Sequence, residues 1–241
     1  MIIKSKRNSK YIRNLEDKIA REITAVFNKM LNKFQAVAGM VLQKSNGGNP
    51  IDILVALGFE EISKILEDGS LIAYAYAYKD IANGVGFEIN LERVNKQALK
   101  VISERQVFYG EMEKYTRQQL ALNLEKALKE NISYEEYLKK SEDIFITSAK
   151  RARRIAINEI GSVYVESTKN AVRDAQLETG AKVKKRWNTV GDSKVTPGCK
   201  HNENLGYVST DYYYQDTDGL GGGEMPPRFV GCRCALDYDV E

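Results

Sequence analysis

All three cysteines and the only histidine of this chain fall in its last fifth, as Cys199-Lys-His201 and Cys232-Arg-Cys234. Thiolate and imidazole donors gathered in two short-spaced pairs can grip one ion from two sides, which scattered donors cannot do. Residues two apart on an extended segment face the same way, so each pair is expected to present both donors together. The two arms would then meet in a tetrahedral Cys3His zinc site of the structural type. The competing reading is three ordinary thiols and a surface histidine, because C-x-H with C-x-C is a weaker pattern than two C-x-x-C pairs. An odd number of cysteines, two of them one residue apart, argues against a disulfide framework.

Catalytic chemistry finds little support. A hydrolase needs a base, a nucleophile or an open metal, and a single histidine is available. Cys199 and His201 are too close along one loop to align for proton transfer, and the glycines from Gly219 to Gly223 lack the Lys-Ser/Thr of a phosphate-binding loop. No enzyme activity is expected. Two basic clusters offer a different kind of site: Lys150, Arg151, Arg153 and Arg154, read at a helix start, and Lys182, Lys184, Lys185 and Arg186 on a strand-like stretch. Each reads either as a contact for phosphate or an acidic partner, or as a solvated face. Positive charge at a helix start opposes the dipole, which favours an acidic partner for the first cluster.

The elements that must position these residues read mainly as helices. From Asn8 to about Gln43, Tyr11, Leu15, Ile19, Ile23, Val26, Met30, Phe34 and Val37 keep three- and four-residue steps. Ser45 to Pro50 should break that helix, and a second apolar run from Ile51 should end at Asp68-Gly69. Leu71 to Tyr78 reads as helix in preference to strand. A turn is expected at Asn83-Gly-Val-Gly86, a cap at Asn90, a break near Gly110, a stop at Asn131 and a capping box opening at Ser133. The next long helix is predicted from about Ala149 to Thr179, with Gly180 as its left-handed stop, and a strand follows over Lys182 to Trp187. The predicted architecture is a mainly α chain: a helical body over 1–148, and over 149–241 a small α+β module with the cysteines as its staple.

The bulk numbers exclude several classes. Charged residues make up 29% and apolar ones 43% of the 241, which suits a folded domain and not a disordered chain. The net charge of +3, from 36 basic and 33 acidic residues, leaves no polyelectrolyte signature, so coating of DNA by charge alone is not expected. No apolar run approaches the roughly 20 residues of a membrane span, and the start Met1-Ile-Ile-Lys-Ser-Lys-Arg lacks the apolar stretch of a signal peptide. Synthesis in a reducing cytoplasm is the expectation.

Taken in order, the motifs resemble a known family. Arg154-Ile-Ala-Ile-Asn-Glu159, Val183-Lys-Lys-Arg-Trp187, Asp192, Pro197-Gly-Cys199, Leu205-Gly206, Met225-Pro-Pro227 and Gly231-Cys-Arg-Cys-Ala-Leu236 resemble the C-terminal signature of tailed-phage head morphogenesis proteins, the minor head proteins that include the Mu F-like group. The resemblance covers roughly the last 90 residues, and its most specific piece is the Pro-Pro to Cys-Arg-Cys ending. Two positions depart from the family: Thr196 stands where many members have the first cysteine of C-x-x-C, and Phe229 where many have a histidine. His201 or Asp192 would then complete a ligand set.

The resemblance implies a minor capsid protein of a phage or prophage, made in the host cytoplasm and housed in the virion, inside the capsid near the portal vertex. Its implied partners are the portal protein, with scaffold or major capsid protein as further ones and packaged DNA as a weak one, in multiple copies and with no membrane. Two other readings stand beside it: a phage-derived toxin or nuclease module, and a DNA-organising protein of the capsid interior.

Overall fold

The computed structural model describes residues 1–42, 50–130 and 134–241. The chain runs β1 (Ile2–Ile3), α1 (Lys10–Leu42), α2 (Pro50–Val85), α3 (Leu91–Glu130), α4 (Tyr134–Thr179), β2 (Val183–Asn188), α5 (Pro197–Asn204), β3 (Val208–Ser209) and β4 (Ala235–Val240). It is mainly helical with a small antiparallel sheet, as the periodicity predicts. The break expected over 45–49, the stop at Asn131 and the capping box at Ser133 lie outside the described residues. No helix among the described residues is long and apolar enough to cross a membrane.

The helices exist because apolar groups recur at helical spacing. In α1, Leu15, Ile19, Ile23, Val26, Met30 and Phe34 are buried, whereas Tyr11 is exposed and Ile12 takes the core position beside it. Leu71 to Tyr78 is helical, with Ala73, Tyr74, Ala77 and Tyr78 buried on one face.

Several expected breaks are absent. α2 continues through Asp68-Gly69 and holds to Val85, so that Asn83 and Gly84 are helical and Gly86, at φ 82°, is the stop. α3 passes through Gly110. A glycine inside a helix costs only about 1 kcal/mol, which is too little to end a long helix by itself. α4 begins at Tyr134, well before the predicted Ala149, and the division expected at 148/149 falls inside it. Two boundaries match: Asn90 Oδ1 accepts from the Arg93 N–H at 3.0 Å, and Gly180 lies at φ 70° after Thr179.

The chain forms two compact units, each assembled from separated segments. One consists of Lys18–Glu67 and Glu104–Arg153. Its core includes Phe27 edge-on to Phe59, and Phe34 against Tyr137 and Phe145.

The other comprises Met1–Asp17, Asp68–Ser103 and Arg154–Glu241. Here the small-residue face of α4 allows close approach: Ser167 Oγ donates to the Tyr74 carbonyl at 2.6 Å, and Tyr78 Oη donates to Asp174 at 2.7 Å. Arg7 is buried, paired with Glu16, and donates to the Ile157 carbonyl at 3.0 Å. The sheet has the order β1-β4-β2-β3 with all pairs antiparallel, and Trp187 stands opposite Leu236 near the end of the β2–β4 pair that adjoins the cysteines.

Candidate metal centre

Two segments carry the cysteines. Val195 and Thr196 lead into α5, where Thr196 is the N-cap, its Oγ1 accepting from the Cys199 N–H, and Pro197 opens the first turn. Both are standard helix-start choices: the threonine oxygen satisfies an orphan donor, and proline has none to lose. Cys199 therefore points inward from a helix and not from the extended arm that the C-x-H spacing predicts. Two residues along a helix turn a side chain about 200° away, which leaves His201 exposed while Cys199 is buried. Gly231, at φ 91°, closes the second loop with the Cys232 N–H donating to the Phe229 carbonyl at 3.0 Å. Cys232 and Cys234 then lie immediately before β4 and are both buried.

The result is a cluster of three sulfurs, Cys199, Cys232 and Cys234, whose Sγ atoms all lie within 4.8 Å of one another. His201 is outside it, and Asp192 is exposed and paired with Arg233 at 2.8 Å. The Cys232 and Cys234 thiols donate to Cys199 and pull its pKa down, helped by Thr196 and by the Arg228 guanidinium, 3.9 Å from the sulfur. Their own pKa values are pushed up, chiefly by the same bonds to Cys199.

Arg228 is the functional residue that spacing did not reveal. Its side chain is fully buried and its Nη2 lies 2.5 Å from Asp218 and 3.3 Å from Asp216, while Nε donates to the Gly221 carbonyl at 2.5 Å. Asp218 in turn accepts from the Gly198 N–H at 2.8 Å, tying the loop to the first turn of α5. The guanidinium, first, and that backbone bond hold the Asp218 carboxyl down at about 2. The only sequence signal for Arg228 is its place directly after Pro226-Pro227; its acidic partners lie 10 and 12 residues upstream.

The donor set fits a soft, tetrahedral cation: three buried cysteine sulfurs at mutual reach, with the Arg228 guanidinium beside Cys199. A metal held by Cys199, Cys232 and Cys234 would supply a cross-link between α5 and the segment before β4.

The structure treats the two basic clusters differently. Lys150, Arg151, Arg153 and Arg154 are exposed but lie in mid-α4, not at a helix start, so the dipole argument for an acidic partner fails. The Arg151 guanidinium sits 5.7 Å from the centre of the Tyr115 ring. On β2 the strand alternation separates the others. Lys182 is exposed, Lys184 is exposed and pairs with Glu241 at 2.8 Å, Arg186 is half-buried, and Lys185 points inward. Lys185 Nζ donates to the Glu224 carbonyl at 2.7 Å over the Tyr214 ring, and burial pushes its pKa down to about 8.

Residues 118–237, spanning the last turns of α3, all of α4 and nearly the whole cysteine module, match the family model described as Phage Mu protein F like protein. This half of the chain belongs to the Phage Mu protein F like family. The match begins well upstream of the last 90 or so residues that carry the motifs. No curated protein and no solved structure matched the chain. The Mu F-like chain is thus a phage head-related protein, a component of the virion.

Proposed function

We propose that this protein is a non-enzymatic minor head protein, bound at the portal during procapsid assembly and kept inside the head in several copies. The observation that carries the reading is the Mu F-like match over 118–237, which takes in α4 and the cysteine module together. Long helices suit docking on a portal oligomer, with scaffold or major capsid protein as neighbours. Zinc, held by Cys199, Cys232 and Cys234, ties α5 to the segment before β4 and so adds to the folding energy of the module. DNA contact is weak at physiological salt, because the net charge is only +3 and the inward turn of Lys185 splits the second basic cluster.

Co-expression with the portal protein of the same genome, followed by sedimentation and mass spectrometry of portal oligomers and procapsids, tests the reading. The chain is expected in both fractions. Absence from both refutes it. Tight, sequence-independent DNA binding at physiological salt would move the assignment to a DNA-organising protein.

A further inference from the structure

A cavity of about 100 Å³ lies at the three cysteines. Cys199, Cys232 and Cys234 line it together with Val195, Thr196 and Phe229. Its volume is well above the roughly 10–15 Å³ that admits a single water. None of the last three brings a free donor: valine and phenylalanine have none, and the Thr196 hydroxyl is committed as the N-cap of α5. Among the described residues no fourth histidine, cysteine or carboxylate completes the cluster, and His201 is exposed. Lys194 and Arg233 also line the cavity; Arg233 is paired with Asp192, so Lys194 brings the positive charge to the approach.

A soft dication with three protein sulfurs requires a fourth donor to be tetrahedral. The room for that donor, its place at all three cysteines and the positive charge of Lys194 are present together. We propose that the metal centre of Cys199, Cys232 and Cys234 keeps its fourth coordination position open towards this cavity, where it takes a small free thiol from solution as the thiolate. The thiol's proton would pass to solvent, and Lys194 would favour the incoming anion. This proposal rests on the reading of the cluster as a metal centre.

The test uses the full chain loaded with cobalt(II) in the absence of thiols and oxygen, with 2-mercaptoethanol as the probe. Addition should shift the visible cobalt bands along a saturable one-to-one curve. Sulfur-to-cobalt charge-transfer intensity should rise by about one third, as three sulfur donors become four. His201→Ala should leave the spectrum before and after addition unchanged, and Lys194→Glu should raise the half-saturating thiol concentration several-fold. A wild-type spectrum indifferent to the thiol, or one altered by His201→Ala alone, overturns the open position while the metal centre stands. Failure to take up cobalt, with three freely titrating thiols, overturns the metal centre and the open position with it.

Discussion

Replacing Arg228 by Met removes the one cation from a site that has been built around it. The stem of the side chain is kept, so the loss is mainly electrostatic. Asp218, 11% exposed, loses a partner at 2.5 Å, and Asp216, 40% exposed, loses one at 3.3 Å. The Gly221 carbonyl and the Cys199 sulfur also lose their contacts. An exposed pair contributes at most about 1 kcal/mol, whereas breaking a buried pair costs about 3–5 kcal/mol. The Asp218 contact therefore dominates, and a total loss of about 3–5 kcal/mol is expected.

Trp187 is the only tryptophan, is fully buried in the same unit and packs 4.9 Å from Tyr214, so its fluorescence reports on this region during urea unfolding. With a slope of about 2 kcal/mol per M, the midpoint should fall by roughly 2 M. Asp218→Asn combined with Arg228→Met should cost clearly less than the sum of the single losses. A loss below about 1 kcal/mol for Arg228→Met would show that the pair is screened by water and that the reasoning from burial is wrong. The pair also has a pH signature. Asp218 is depressed in the fold, so its contribution is full above the unfolded value of about 4 and is lost as pH falls to about 2.

Two further outcomes follow from the same unit. Lys185 has a folded pKa of about 8, below its unfolded value of about 10.4, so the unfolded chain binds more protons between the two and stability should rise with pH from about 8 to 10. Lys185→Met should flatten that rise in urea midpoints measured at pH 7.5 and 9.5, and an undiminished rise would contradict the assignment. Gly222→Ala should lower stability by about 1–3 kcal/mol, because the added methyl meets the Tyr214 carbonyl at 2.6 Å beside the Tyr214–Gly223 bridge. An unchanged midpoint would show that the loop carrying Asp216 and Asp218 yields freely.

How far the sequence was legible differs by feature. Strong periodicity located α1 to within a residue or two, and the change of texture after Gly180 located β2. Glycine misled at Gly69, where buried neighbours such as Leu66 carry the helix through it, and α3 likewise runs on through Gly110. The inward turn of Lys185 was readable in principle: Val183 and Trp187 are strand residues of one face, and period two puts Lys185 between them. α5 was readable as well, since Thr196-Pro197 is a helix start, and with it the separation of Cys199 from His201. The match of Arg228 to Asp216 and Asp218 was not readable, because loop conformation and not residue spacing decides which acid meets which base.

Metal stoichiometry tests the account of the cysteine module most directly. Full-length protein purified without added metal or chelator should contain close to one zinc per chain, bound by Cys199, Cys232 and Cys234. Structural zinc in small modules contributes about 10–16 kcal/mol of gross binding free energy, so Cys232→Ser should release it and loosen the region around Trp187. Metal-free protein with three titratable thiols, Trp187 still buried and unfolding unaffected by Cys232→Ser would contradict the account, leaving the three cysteines as packing residues.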